Sequence, residues 1–311
     1  MADSLRLHGV VPPLVTPLGP DGDVDAASLR RLVRFQLAAG VHGVFLCGSS
    51  GEVALLDAGQ RHVAVETAVD EVAGAVPVLV GAVDSGTRQV IGHVRQAETL
   101  GADAVVVTAP YYVQPHPDEI VAHFHTVRDT AGIPLVAYDI PSAVGARLTP
   151  DIVERLAETD TVVALKDSSG DLATFREILR RLPELPALTG SELFADTAVQ
   201  LGAAGIVPGL GNVDPEGYVR LYGAARDGDF AAAAAEQDRL ARLFTITTVA
   251  DRRRIGHTAG ALGAFKAAVA LRGVIADART NPPLLPLNEA EIREIAALLT
   301  ELDLGPVLQP R

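Results

Sequence analysis

The stretch TLGADAVVVTAP (99–110) decides how this chain folds. A helical pattern runs into Gly101, and an apolar run rich in β-branched residues, AVVVTAP (104–110), starts almost at once. Glycine lets the backbone leave a helix by a left-handed turn, so a strand can follow without a long loop. The same phrase recurs as AAGVHGVF (38–45) and QLGAAGIV (200–207). Working outward, further strand candidates are VVPPLVTPL (10–18), VHGVFLCG (41–48), VPVLVGAV (76–83), PLVAYDIP (134–141), VVALKDSS (162–169), PALTGS (186–191) and GIVPGL (205–210). Helical patterns lie between them near 25–39, 57–73, 87–100, 117–131, 149–158, 171–182, 192–202 and 214–226, with Thr87 placed to cap the third. Short apolar strands separated by amphipathic helices indicate βα units and a parallel sheet buried on both faces.

Eight such units predict a closed (β/α)8 TIM barrel. An open doubly wound sheet is disfavoured because no dinucleotide-type glycine fingerprint follows the first strand. The barrel is expected over residues 1–227 and an appended helical subdomain over 228–311. The appended part reads as FAAAAAEQDRLARLF (230–244), IGHTAGALGAFKAAVALRGVI (255–275) and EAEIREIAALLTEL (289–302). The proline-rich turn ARTNPPLLPLN (278–288) sets off the last helix.

Composition narrows the function. The 311 residues are 48% hydrophobic and 21% charged, and the net charge is −13. A surface this acidic disfavours nucleic acid and anionic membrane as partners. The N-terminus shows no basic region followed by an apolar core, and no apolar run approaches a membrane span, so a cytoplasmic protein is expected. The single cysteine, Cys47, cannot form an intramolecular disulfide and lies in an apolar segment, where it reads as a small buried hydrophobe. No cofactor is expected. His123 and His125 are two apart on a helical pattern and point in different directions, so a metal site is not expected either. Arg252–Arg254 reads as a solvated charge run.

Lysine is nearly absent: among 26 basic residues only Lys166 and Lys266 are lysine. Arginine stays protonated, whereas a desolvated lysine can act as an amine nucleophile toward a carbonyl. Lys166 sits at the end of a strand candidate, VVALKDSSG (162–170), while Lys266 sits in mid-helix and reads as structural. In an α/β barrel, chemistry is built at the C-terminal ends of the strands. Those ends carry Gly48-Ser49-Ser50-Gly51-Glu52, Ala109-Pro110-Tyr111-Tyr112, Tyr138-Asp139-Ile140-Pro141, Lys166-Asp167-Ser168-Ser169, Thr189-Gly190-Ser191-Glu192 and Val207-Pro208-Gly209-Leu210-Gly211. One amine, three tyrosines and several hydroxyls make a proton relay around a carbonyl group. Ser49 and Glu52 also have the spacing of a helix capping box.

GSSGE, APYY, YDIP and LKDSSGD, in that order, resemble the dihydrodipicolinate synthase/N-acetylneuraminate lyase family of pyruvate-dependent class I aldolases. The likeness runs from VVPPLVTPL into the C-terminal helices. It implies that Lys166 forms an imine with pyruvate or a 2-oxo acid and that Tyr138 shuttles protons. Ser49 would link Tyr138 to Tyr112, which would reach in from a neighbouring subunit of a homotetramer built as a dimer of dimers. Ser50 and the backbone of Gly48–Gly51 would hold the pyruvate carboxylate, and Val207 would line the imine. Ser168, Gly190 and Glu192 would face the variable part of the substrate. The resemblance also exposes departures. Ala143 stands where synthases acting on aspartate semialdehyde usually carry an arginine, and Arg147 lies four residues further on. Ala58 and Arg61 replace histidines found in lysine-inhibited members. Gly209 stands where sialate lyases carry serine. These departures favour aldol cleavage or condensation of a 2-keto-3-deoxy sugar acid, with 4-hydroxy-tetrahydrodipicolinate synthesis and a non-catalytic sugar-acid-binding barrel as alternatives.

Overall fold

The computed structural model describes residues 5–306. Eight strands, β1 (Gly9–Val10), β2 (Val44–Leu46), β3 (Val78–Gly81), β4 (Ala104–Thr108), β5 (Leu135–Asp139), β6 (Ala164–Asp167), β7 (Ala187–Thr189) and β8 (Gly205–Ile206), form one parallel sheet in the order β1-β8-β7-β6-β5-β4-β3-β2. Backbone bonds close it between its ends: His42 N donates to Val10 O at 2.8 Å, Phe45 N to Pro12 O at 3.0 Å and Leu14 N to Phe45 O at 2.8 Å. The result is the (β/α)8 barrel expected from the repeated phrase.

Its helices are α1 (Ala26–Ala38), α2 (Ala58–Val72), α3 (Thr87–Thr99), α4 (Pro117–Arg128), the one-turn α5 (Pro141–Val144), α6 (Pro150–Glu158), α7 (Leu172–Arg181), α8 (Ala195–Gln200) and α9 (Pro215–Arg226). Asp25, Asp57, Thr149, Asp171 and Asp214 cap helix N-termini with their side chains. Three details depart from the sequence reading. The first strand shrinks to Gly9–Val10 because Pro12 and Pro13 have no N–H to give a ladder. The eighth stops at Ile206, and Gly209–Asn212 form a 3-10 turn after Pro208. Gly86, not Thr87, caps α3; Thr87 Oγ1 bonds His123 Nδ1 at 2.9 Å instead.

Strand residues alternate between two separate apolar clusters, as the pleat requires. Phe45, Leu79, Ala104, Val106, Val136, Tyr138, Ala164, Leu188 and Val207 fill the barrel interior. Val44, Leu46, Val78, Val80, Val105, Val107, Leu135, Ala137, Leu165 and Ile206 pack outward under the helices. The parity set by Ala164 turns Lys166 and Ser168 inward, and that of Leu188 turns Gly190 inward. Asp139 and Asp167 fall on the opposite parity.

Beyond the barrel come α10 (Phe230–Phe244), α11 (His257–Leu271) and α12 (Glu289–Glu301). Their buried residues, among them Leu240, Leu262, Phe265 and Ile295, join the outer barrel cluster without a break. Helix α11 packs against the 3-10 turn after β8, which brings the appended helices to the C-terminal mouth of the barrel. Among the described residues no helix is long and apolar enough to cross a membrane.

Candidate active site

Lys166 and Tyr138 are register partners on β6 and β5, and Thr108 on β4 is the register partner of Tyr138. Neighbouring strands thus carry three inward side chains at the same height. The Lys166 Nζ stands 4.0 Å from the centroid of the Tyr138 ring and 4.8 Å from that of Phe45. These rings meet edge to face with centroids 6.3 Å apart and form an aromatic wall along the amine. Lys166 is 5% exposed, and among the described residues it makes no ion pair or hydrogen bond.

The turn after β2 closes over this pair. Cys47 leaves the strand at φ 52, a left-handed conformation uncommon for residues with a side chain. Room for it comes from Gly81, where an added Cβ would lie 1.9 Å from the Cys47 carbonyl oxygen. Ser49 Oγ then lies 3.3 Å from Tyr138 Oη. Gly48 and Gly51 pack against the Phe45 ring and the Leu14 carbonyl, where a Cβ would lie 2.7 Å and 2.9 Å from the nearest atoms. Thr16 Oγ1 donates to Gly51 O at 2.8 Å. No helix starts within 48–55, so Ser49 and Glu52 are not a capping box. Glu52 adopts φ 63, and its buried carboxylate pairs with Lys266.

On the other side, Ser168 and Gly190 touch. A Cβ at Gly190 would stand 2.0 Å from Ser168 Oγ, so glycine is required for the serine to face the mouth. Gly190 N donates to Asp167 O at 2.6 Å and Val207 N to Thr189 O at 2.7 Å, which seats Val207 inside the barrel. Glu192 Oε1 accepts from Gly209 N at 2.8 Å and from Leu210 N at 3.4 Å. Burial raises the Glu192 carboxyl above the ordinary value; those N–H donors and the nearby Lys166 charge oppose the rise. Gly209 is where Ser50, Glu192 and Phe265 converge: a Cβ there would lie 3.2 Å from Ser50 Oγ, 3.1 Å from Glu192 Oε1 and 3.0 Å from Phe265. A serine at 209 would crowd all three.

Tyr112 does not join the cluster within one chain. It is 94% exposed and held at φ 68. Tyr111, beside it, faces a cavity of about 190 Å³ that opens over Tyr138 and Ser49. The walls of that cavity are largely apolar, with Val53, Leu55, Ile140, Ala143, Val144 and Leu262 among them. Among the described residues, its one charged lining group is Glu52. Arg147 turns outward, donating from Nε to Asp139 Oδ2 at 3.0 Å.

Four contributors lie outside the strand ends. Phe45 and Thr108 lie within strands rather than after them, and inward parity would have found both. Thr258 and Leu262 come from α11, and no local pattern signals that this helix reaches the barrel mouth.

A model of the dihydrodipicolinate synthetase family matches residues 6–302. An uncharacterized DapA-like lyase of Halobacterium salinarum is 38% identical over 304 residues, covering 97% of this chain and 96% of that protein. The 4-hydroxy-tetrahydrodipicolinate synthase of Methanosphaerula palustris is 33% identical over 295 residues, covering 94% and 97%. Among solved structures, YagE, a prophage protein of the dihydrodipicolinic acid synthase family from E. coli K12 crystallised with pyruvate, superposes with a TM-score of 0.89 at 30% identity, covering 96% of this chain and all of that one. The dihydrodipicolinate synthase of Bacteroides thetaiotaomicron superposes with a TM-score of 0.90, also at 30% identity, with coverage of 96% and 99%. The eight-stranded barrel, the strand-end constellation and these matches together make the chain a member of the dihydrodipicolinate synthetase family, an enzyme family of lyases and synthases.

Proposed function

We propose that the protein is a Schiff-base-forming aldolase that takes pyruvate on Lys166 and makes or breaks the bond between it and an aldehyde. The substrate cleaved is a 2-keto-3-deoxy sugar acid. The observation that carries this reading is the Lys166 amine, buried and unpaired among the described residues, 4.0 Å from the ring of Tyr138, whose hydroxyl reaches Ser49.

In the condensing direction, the uncharged amine attacks C2 of pyruvate, and a proton delivered through Tyr138 lets the carbinolamine lose water. The resulting iminium accepts the electron pair released when a C3 proton leaves, giving an enamine. Its C3 bonds to the aldehyde carbon while the aldehyde oxygen takes a proton from the phenol–hydroxyl relay. Water then hydrolyses the iminium and frees the amine. Cleavage is the same sequence reversed. Ser50 and the main-chain N–H groups of Gly48–Gly51 hold the pyruvate carboxylate, a task suited to a glycine-rich turn. Val207 covers the imine, and Ser168, Gly190 and Glu192 form the wall along the substrate tail. The protein acts as a homotetramer in which Tyr112 completes the relay of a neighbouring subunit. Unchanged activity in Tyr112→Phe would overturn that role.

The choice of an uncharged tail rests on missing cations. Ala143 offers no positive group, Arg147 is committed to Asp139 and Glu52 is neutralised by Lys266. A second carboxylate would be desolvated without a partner. A 2-keto-3-deoxy sugar acid has only one, which the GSSGE turn takes, and Ser168 and Glu192 can bond its hydroxyls. Condensation with aspartate semialdehyde is the second reading, favoured by the name of the Methanosphaerula relative.

The decisive experiment is incubation with pyruvate, reduction with borohydride and peptide mapping. A reduced pyruvyl adduct on Lys166 supports the reading; a folded protein that yields none at high pyruvate overturns it. An adduct without turnover of any aldehyde or 2-oxo acid would point to a non-catalytic barrel.

A further inference from the structure

Lys266, the second lysine, is entirely buried, and its Nζ forms an ion pair with Glu52 Oε1 and donates to Arg279 O at 2.7 Å. Glu52 Oε2 accepts from Asn281 N at 2.6 Å. Gln60 Nε2 spans the same junction, donating to Asn281 Oδ1 at 3.2 Å and to Gly22 O at 2.8 Å. Three distant segments therefore converge on one buried charge pair: the GSSGE turn, helix α11 and the segment around 279–281. Isolated charges at this depth are strongly disfavoured, so the pair locks its two backbones together. Burial pulls the Lys266 amine below its ordinary value, and Glu52 opposes that shift.

The geometry points to Lys266 and Glu52 as positioning residues for the proposed reaction, a clasp by which the C-terminal helices hold Ser49 and Ser50 at the barrel mouth. The reading goes beyond packing because Glu52 is the last residue of the GSSGE turn. Its N–H donates to Ser49 O at 3.1 Å, and Val53 N donates to Gly48 O at 3.2 Å. Glu52 itself sits at φ 63, a conformation that needs external restraint to persist. Releasing its carboxylate frees the end of the turn from which Ser49 reaches Tyr138. The 3.3 Å Ser49–Tyr138 contact is already long, so a small displacement breaks it, and misplacement by about 1 Å is enough to cost up to about a hundredfold in rate.

This inference rests on the Schiff-base reading above, and the test separates the two. Wild type, Glu52→Gln, Lys266→Met and the double variant Glu52→Met/Lys266→Met are compared by melting temperature, borohydride trapping of pyruvate, turnover and backbone hydrogen exchange. The double variant leaves no lone buried charge and recovers stability lost in the singles, but it cannot restore the bond to Asn281 N. The expected result is a Lys166 adduct in every variant, faster exchange confined to residues 48–53, and kcat lower by about tenfold in the double variant despite its recovered melting temperature. Wild-type kcat and KM in the double variant would overturn the clasp and leave a pair that serves stability alone. So would exchange that rises throughout the molecule with kcat unchanged. Absence of an adduct in wild type overturns the Schiff-base reading; exchange confined to 48–53 in the double variant then supports the tether, and unaltered exchange there removes it.

Discussion

The two lysines share burial and differ in company. Lys166 projects into the barrel between two aromatic rings and forms no salt bridge among the described residues, with Glu192 near enough only to feel its charge. Lys266 lies in a helix at the same end of the molecule, paired with Glu52 and bonded to a carbonyl. The Glu52 carboxylate occupies the Lys266 amine and opposes the fall that burial imposes on it. An amine without such a partner, beside a phenol, is available to a carbonyl carbon. On the proposed function, burial does not distinguish the nucleophile from the structural charge; pairing does.

The sharpest way to break this contrast is to remove each amine in turn. Lys166→Ala is expected to abolish adduct formation and to lower turnover by about 10³ or more, with the melting temperature little changed because no ion pair is broken. Lys266→Met should do the reverse in its first effect. It leaves Glu52 buried and alone, which costs about 3–5 kcal/mol, while the Lys166 adduct still forms. An adduct mapped to Lys266 would end the comparison.

A smaller effect tests whether the company of Lys166 is chemical or only steric. Tyr138→Phe keeps the ring that lies 4.0 Å from the amine and deletes the hydroxyl. Turnover should fall by about 10²-fold or more, the range for loss of a general acid–base group, with pyruvate binding retained. If kcat is unchanged, the ring is packing and the relay runs elsewhere.

The same two regions mark how far the sequence could be read. Strand periodicity, helix stops at glycine and the rarity of lysine point to Lys166, Tyr138, Ser49 and Ser168 as strand-end residues, and the structure has all four at that end of the barrel, because their positions follow from local pattern. The Glu52–Lys266 pair was not legible. Its partners are more than two hundred residues apart in sequence, and each alone has an ordinary local reading, a cap residue and a helical lysine. Tyr112 is a third case. Its position after β4 was readable, but within one chain it is 94% exposed, and only the proposed tetramer would give it a partner. The prolines that shorten β1 were visible; that the barrel closes through Pro12 O and Phe45 instead depends on contacts distant in sequence that no local pattern carries.

Substrate charge supplies the next test. Ala143→Arg introduces a guanidinium beside Ile140 and Val144, where the cavity holds no cation. Activity toward an aldehyde bearing a second carboxylate should rise relative to an uncharged one by about tenfold, the worth of one charge-assisted hydrogen bond. If the wild type already prefers the anionic aldehyde, the sugar-acid reading gives way to the aspartate-semialdehyde one.

A pH-dependent effect concerns the opposite face of the same strands, where pairing is incomplete. Asp139 follows Tyr138 and Asp167 follows Lys166, and both carboxyls are buried in register beside each other. Burial raises Asp139 from 3.8 to about 6, helped by the Asp167 charge, while the Leu148 N–H and Arg147 oppose the rise. A carboxyl raised in the native state binds its proton more tightly folded than unfolded. Its favourable contribution is therefore complete below pH 3.8 and is lost as the pH climbs through about 6. Asp139→Asn has no proton to lose. Urea midpoints of the two proteins should coincide near pH 4 and diverge as the pH rises, with the variant more stable above pH 7 by on the order of 3 kcal/mol. A constant difference across that window would mean that Arg147 neutralises Asp139 as fully as Lys266 neutralises Glu52. The contrast between a matched buried pair and an unmatched one would then fail on the outer face of the barrel, while the test of Lys166 on the inner face would be untouched.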